Sequence, residues 1–322
     1  MSHAPSLFED SLRILLLAGG PSAEREVSLE SGAAVAAALR ERGHAVTEYD
    51  PASRTLDGVN RADFDVAFIA LHGTFGEDGQ VQQLLEEIEL PYTGSDSVTS
   101  AVTMSKIATK QQLIAHSLPT PDFYIIHPRE AAESFCRKSA ALGYPLVMKP
   151  DSEGSSLGVT IVSGALELPA ALANCFQYGP DGLMETCIHG QEWTVGLIDH
   201  LVLPPVQIVS SREFYDYEAK YASEETQYLF ASETPPSVLE SMQQIAVETC
   251  RVLGTRGIAR VDFRLDRFQR PWILEVNTIP GMTSHSLIPK AAARLGISFG
   301  EVCERALQSA FASRESRVRI AA

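Results

Sequence analysis

The sequence predicts an α/β protein of two or three lobes, the first built on a parallel sheet, and three observations carry that reading. Over roughly the first hundred residues, short apolar strands alternate with helix-period segments, the order that produces a parallel sheet covered on both faces. Beyond them lies a smaller α+β stretch, and a third stretch closes on two strands that read as a hairpin. With 322 residues and 45% hydrophobic content, the chain is long enough to bury a sizeable core.

In the first block, residues 1–100, RILLLA, HAVTEYD and DVAFIALHG read as strands. SLESGAAVAAALRERG reads as a helix, ended by Gly43 in the usual carboxyl-terminal position. Ligands of such sheets sit beyond the carboxyl ends of the strands, where AGGPSAEREVS and HGTFGEDG both fall. SVTSAVTMSKIATKQQLIAHS predicts one long helix leading through Pro119 and Pro121 into the second block, residues 101–190. There YPLVMKP, GVTIV and GLMETCI are expected as strands and ALELPAALANCF as a helix. The third block, residues 191–322, opens with EWTVGLID and LVLPPVQIV as strands. The polar run SSREFYDYEAKYASEETQYLFASETPP follows, about residues 210–235. Compact domains seldom leave so long a segment without a role, so it reads as a lid or substrate loop, the plainer alternative being a solvated connector. Helix PSVLESMQQIAVETCRVLG, the two paired strands and helix SFGEVCERALQSAFASR complete the fold.

The net charge of -15, from 41 acidic and 26 basic residues, argues against a general nucleic-acid or anionic-membrane surface. An anionic ligand must therefore meet a local basic pocket. Five cysteines without CxxC spacing fit idle thiols in a reducing compartment, with a bacterial or organellar cytosol as the default. The opening MSHAPSLFEDSLRILLLAGG carries Glu9 and Asp10 before its apolar run, which reads as a first core strand and not as a signal peptide. No apolar segment approaches the ~20 residues needed to span a bilayer.

The late hairpin raises a chemical question. If DRFQRP turns GIARVDFRLD back on PWILEVN through a loop at 267–270, Asp266 pairs with Pro271, which sets Asp262 opposite Glu275 and Arg260 opposite Asn277. Period-two alternation places these four on one face and Val261, Phe263, Leu274 and Val276 on the other. Two opposed carboxylates need a cation between them, and Mg2+, which prefers oxygen ligands and phosphate partners, is the natural candidate. A solvent-facing strand pair with incidental charges is the alternative.

Other residues are ambiguous alone. Lys149 ends a strand and precedes the Gly/Ser-rich PDSEGSSLG, a loop able to cradle a phosphate or simply to turn the chain. Lys106 in TMSKIATK reads equally as a solvated helical lysine. Glu185 and Glu192 flank a strand exit in METCIHGQE, where an adenosine has carbonyls and carboxylates to bond. His72 and His285 have no metal-ligand partner at helical spacing.

In order, AGGPSAEREVSLESG, LHGTFGEDGQVQ, YTGSDSVTSAVTMSK, YPLVMKPDSEGSSLGV, YDYEAKY, RVDFRLD and LEVNTIPGMTSHSLIP closely resemble the D-alanine-D-alanine ligases of the ATP-grasp superfamily, from about residue 13 to 310. The resemblance implies a three-lobed ATP-grasp fold whose first domain is a Rossmann-like parallel-sheet (pre-ATP-grasp) domain that binds substrate. It implies ATP between the central and carboxyl-terminal lobes, phosphorylation of the first D-alanine on its carboxylate, and attack by the amine of the second, for peptidoglycan precursor synthesis. By the same resemblance Asp262, Glu275 and Asn277 are metal ligands for two Mg2+ or Mn2+ ions. Lys106, Lys149 and the lid's Lys220 are its phosphate-binding lysines, and Glu185, Thr186, Ile188 and Glu192 its adenosine site. Glu24 holds the ammonium of the first D-alanine, Ser155 and Tyr221 link it to the lid, and His72 lies beside it. Arg260 and Gly281 stabilise the oxyanion, while Ser286 and Leu287 hold the second substrate's carboxylate.

One departure stands out. The family commonly has a lysine where this chain has Thr186, which leaves backbone contacts at Thr186 and Ile188 for the adenine. Tyr221 favours a dipeptide over a depsipeptide product. The competing readings are a ligase with D-lactate or D-serine as acceptor and an ATP-binding regulator without catalysis. A cytoplasmic homodimer, with no nucleic-acid or membrane partner, is what the resemblance implies for assembly and location.

Overall fold

Residues 6–209, 226–230, 233–283 and 286–320 are described by the structure, a computed structural model. Its first sheet is parallel, in the order β2-β1-β3, from β1 (Arg13–Leu17), β2 (Ala45–Tyr49) and β3 (Val66–Ile69). The unbroken apolar run of β1 is explained by its two covered faces: Ile14 and Leu16 enter one core, Leu15 and Leu17 another. Helix α1 (Arg25–Glu41) lies against this sheet, and Gly43, at φ +90°, releases the chain from it. A short helix that the sequence reading did not include, α2 (Gln80–Glu87), follows β3.

The expected long helix is two helices, α3 (Ser97–Met104) and α4 (Lys106–Ala115). Ser105 is extended and its hydroxyl accepts the Ala108 N–H, capping α4. Asp151 takes the Ser105 hydroxyl at 2.9 Å and the Ile107 N–H at 2.8 Å, which stabilises the break. Helical periodicity runs through such a cap undisturbed, because serine is a tolerable interior residue as well as a good cap.

The central sheet is antiparallel, in the order β4-β7-β5-β6: β4 (Phe123–Ile126), β5 (Leu146–Pro150), β6 (Thr160–Val162) and β7 (Gly182–Thr186). Helices α5 (Ala132–Leu142) and α6 (Leu168–Cys175) cover one face. The third sheet runs β11-β10-β8-β12-β13, from β8 (Gly190–Ile198), β10 (Val206–Val209), β11 (Gln227–Leu229), β12 (Ile258–Asp266) and β13 (Pro271–Asn277). A two-residue β9 (Leu201–Val202) pairs with β8, and Pro204 and Pro205 separate it from β10. Helices α7 (Pro236–Leu253), α8 (Leu287–Ala293) and α9 (Phe299–Ile320) complete the chain. Of the expected lid, residues 210–225 and 231–232 lie outside the described residues, and Gln227–Leu229 form a strand.

The hairpin register differs from expectation at its tip. Leu265, not Asp266, pairs with Pro271, and Asp266 instead closes the turn by bonding the main chain of Arg270. A bulge then shifts the register by one, so Asp262 still faces Glu275 and Arg260 faces Asn277. Because of that bulge Ile273, rather than Leu274, joins Val261, Phe263 and Val276 in the core, and Leu274 is only half-buried.

One core crosses the chain. Ile14, Leu16, Val35, Leu39 and Phe68 pack with Leu203, Ile288, Val302 and Leu307, so the first and last blocks share their interior, while the central sheet has its own. At the edge of the shared core, Glu304 of α9 is fully buried. It pairs with Arg42 at 2.5 Å and accepts from Ser6 Oγ at 2.7 Å and Leu7 N–H at 2.9 Å. His44 Nδ1 accepts the Leu12 N–H, which puts the ring proton on Nε2, donated to Glu304 at 3.1 Å. Burial by itself would push this carboxyl up, but Arg42 and the other donors outweigh it and bring it down to about 2. Its folded value lies below the ordinary 4.5, so its contribution is present above pH ~4.5 and disappears as pH falls towards ~2. Glu304→Gln should therefore cost ~3 kcal/mol at pH 7, and that difference should shrink in acid. Urea unfolding of both proteins at pH 7 and pH 3 measures it; an unchanged difference would contradict the assignment.

Candidate active site

Loops from all three sheets meet in one cleft of about 1150 Å3, counting the solvent at its mouth. The first sheet contributes Glu24, just before α1, and His72 and Glu77, after β3. Lys106 enters from the first turn of α4, and Gly154 and Ser155 from the loop after β5. The third sheet contributes Arg260, Glu275 and Asn277, and the chain beyond it adds Gly281, Ser286 and Leu287.

Glu24 is held from several sides. Ser155, in the left-handed region at φ +50°, donates its hydroxyl to Glu24 Oε1 in a short hydrogen bond. Gly73, at φ +67°, passes so close that a Cβ there would lie 2.8 Å from Glu24 Oε2. Behind it, His72 is buried, with Nε2 3.2 Å from Ser31 Oγ and Nδ1 3.4 Å from Glu77 Oε1. Burial pushes the Glu77 carboxyl up, and His72 opposes this.

Across the cleft, Arg260 grips Asp262 with two parallel bonds, Nε to Oδ1 and Nη2 to Oδ2, both 2.8 Å. Thr194 adds a third, at 2.7 Å to Oδ1. Glu275 is half-exposed, and Lys106 Nζ stands 3.9 Å from its Oε2 while donating to the Glu153 carbonyl at 2.5 Å. The opposed carboxylates thus have Arg260 and Lys106 beside them as protein cations. Asn277 Oδ1 accepts the Ile279 N–H at 2.9 Å. Among the described residues no three His, Cys, Asp or Glu side chains form a ready-made metal cluster. Asp262, Glu275 and Asn277 nevertheless fit a hard divalent cation: they offer only oxygens on one strand face, and too few to fill its shell without phosphate or water.

Five residues expected at the nucleotide do not line this cleft: Lys149, Glu185, Thr186, Ile188 and Glu192. Glu185 does not reach outward from a strand exit, because it is buried on β7 with one carboxylate oxygen 2.6 Å from Lys149 Nζ and the other 2.9 Å from Lys110 Nζ. Glu192, on β8, pairs with Arg264 at 3.1 Å. The Thr186 N–H is committed to the Asp122 carbonyl at 2.9 Å, so it is not a free donor for adenine. Ile188 is half-buried in the turn between β7 and β8. Lys220 and Tyr221 lie outside the described residues, as does His285. Sequence reading passed over Glu77, Thr194 and Lys110. Glu77 sits inside the quoted HGTFGEDG, and Lys110 follows Lys106 by one helical turn, but neither spacing signals burial.

Two family models match, one described as D-ala D-ala ligase C-terminus over residues 81–308 and one as D-ala D-ala ligase N-terminus over residues 44–95. The chain belongs to the D-alanine-D-alanine ligase family. A relative of that name from Gloeobacter violaceus is 44% identical, over 91% of this chain and 98% of its own length. Another from Syntrophotalea carbinolica is 43% identical over 92% and 96%. Among solved structures, a Bacillus anthracis D-alanine-D-alanine ligase complexed with ATP matches with a TM-score of 0.83 at 30% identity, over 95% of this chain and all of that one. The three-sheet architecture is accordingly the ATP-grasp fold of these ligases, with the parallel sheet as its N-terminal part. Among the described residues, no helix is long and apolar enough to cross a membrane.

Proposed function

We propose that this protein joins two D-alanines to D-alanyl-D-alanine at the expense of ATP, for peptidoglycan precursor synthesis. The terminal phosphoryl group passes to the carboxylate of the first D-alanine, the amine of the second attacks the acyl phosphate, and phosphate and ADP leave. The observation that carries this reading is the convergence of Glu24, Lys106, Ser155, Arg260 and Glu275 on one cleft in a chain of this family. D-lactate or D-serine as acceptor, and a regulator without catalysis, are not favoured by the relatives.

Glu24, oriented by Ser155, holds the ammonium of the first D-alanine and keeps its carboxylate turned towards Arg260 and Lys106. His72, with Glu77 behind it, flanks that substrate. Ser286 and Leu287 hold the carboxylate of the second, aided by the closeness of Gly281, where a Cβ would stand 2.9 Å from Ser286 Oγ. Arg260 and the Gly281 N–H face the oxyanion of the tetrahedral intermediate, fixed donors of the kind that stabilise such charge. Asp262, Glu275 and Asn277 would hold two Mg2+ or Mn2+ ions, which neutralise phosphate charge when bound. Lys149 faces the nucleotide's phosphates, with Lys220 from the lid at its terminal one. The adenosine lies along Thr186, Ile188 and Glu192. Tyr221 belongs to the same lid and completes the link to Glu24. The functional division falls near residues 100 and 190, with the protein as a cytoplasmic homodimer.

Phosphate release from ATP and Mg2+ tests this directly. Turnover is expected with D-alanine and not with L-alanine; equal or absent release with both would reject the proposal.

A further inference from the structure

Three ionisable groups meet under the central sheet: Lys110 of α4, fully enclosed; Glu185 of β7, almost so; and Lys149 at the end of β5, which keeps a small exposed surface. Lys110 is fixed from its other side as well. Its Nζ donates to Thr120 Oγ1 at 2.6 Å and to the Pro121 carbonyl at 3.4 Å, and it stands 5.3 Å from the Phe123 ring centre. Thr120 in turn donates to the Ile273 carbonyl at 3.0 Å, two residues before Glu275 on β13.

A buried carboxylate beside a single lysine makes a neutral pair. Here a second lysine shares the carboxylate, so the cluster of two cations and one anion carries one net positive charge. We propose that Lys110 is a positioning residue for the nucleotide: by occupying one oxygen of Glu185 it keeps that carboxylate from neutralising Lys149, which then presents the cluster's surplus charge to the phosphates of ATP. This rests on the reading that Lys149 faces those phosphates. Burial lowers the Lys110 ammonium to about 8, with Glu185 and Asp122 opposing and Lys149 assisting, and the Glu185 oxygen at 2.9 Å and Thr120 Oγ1 at 2.6 Å favour its charged form. The Glu185 carboxyl, which burial would raise, is held down by Lys110 and Lys149.

The inference separates from an ordinary structural role because it depends on net charge. Lys110→Met leaves a neutral Lys149–Glu185 pair, whereas Lys110→Met/Glu185→Gln restores one net positive charge on Lys149 and leaves no carboxylate unpaired. Calorimetric titration of the full chain with Mg2+ and the non-hydrolysable analogue AMP-PNP should show about tenfold weaker binding in Lys110→Met and a return to within about threefold of the unaltered protein in the double variant. In turnover assays of Lys110→Met, the KM for D-alanine should stay within about twofold. Unchanged nucleotide affinity in Lys110→Met, or a double variant as weak as the single, would overturn the inference. If Lys110→Met does not fold, the double variant decides alone: affinity like that of the unaltered protein supports the charge argument, and weak affinity overturns it. Absence of AMP-PNP binding by the unaltered protein would remove the ATP reading itself, and this inference with it.

Discussion

Glu275→Ala should leave a folded protein whose turnover has dropped by roughly a thousandfold or more, the several kcal/mol that metal-assisted charge neutralisation supplies. The side chain is half-exposed on β13 and fills no core volume, so its removal creates no cavity. Lys106 loses a partner at 3.9 Å, which is a weak one at partial exposure. Thermal unfolding and phosphate release, measured on the same preparation, separate the two effects. Near-normal turnover in a folded variant would refute the metal assignment.

Arg260→Lys is the second large effect, and it should appear although the charge is kept. Two parallel 2.8 Å bonds to Asp262 require the planar fork of a guanidinium, which an ammonium cannot reproduce. Asp262 would keep its bond from Thr194 but lose its fixed orientation, and the cleft would lose the donor proposed to face the oxyanion. Loss of one such donor costs about a hundred- to a thousandfold in kcat. Steady-state kinetics with D-alanine as the varied substrate measures it; a kcat within threefold of the unaltered protein's would remove Arg260 from the chemistry.

Much of the site was legible because period-two alternation is a strong constraint. It put Asp262 opposite Glu275 even though the assumed turn was off by one residue, since the bulge shifts the register back before the carboxylates are reached. Leu274 was misplaced for the same reason: a bulge leaves no mark in an apolar run where Ile, Leu and Val are interchangeable by pattern. Ser105 hid a helix break because the apolar pattern continues on both sides of it. The burial of Glu185 was hidden for a different reason. Its two lysines arrive from α4 and β5, 75 and 36 residues away in sequence, and nothing local to METCI announces a buried cation on either side. Glu24 and Ser155, 131 residues apart, were paired only through the family resemblance.

The interior common to the first and last blocks has a bearing on how the enzyme can be taken apart. A cut near residue 100 would strip Leu203, Ile288, Val302 and Leu307 of the side chains they rest on, and would expose Ile14, Leu16 and Val35 in turn. Each fragment would keep a smaller cluster of its own but lose this common core, so the first block should not survive unchanged as an independent module. The central sheet with α5 and α6 encloses its own apolar residues and could be exchanged with less disturbance, whereas α4 before it is tied through Leu113 to the core of the third sheet.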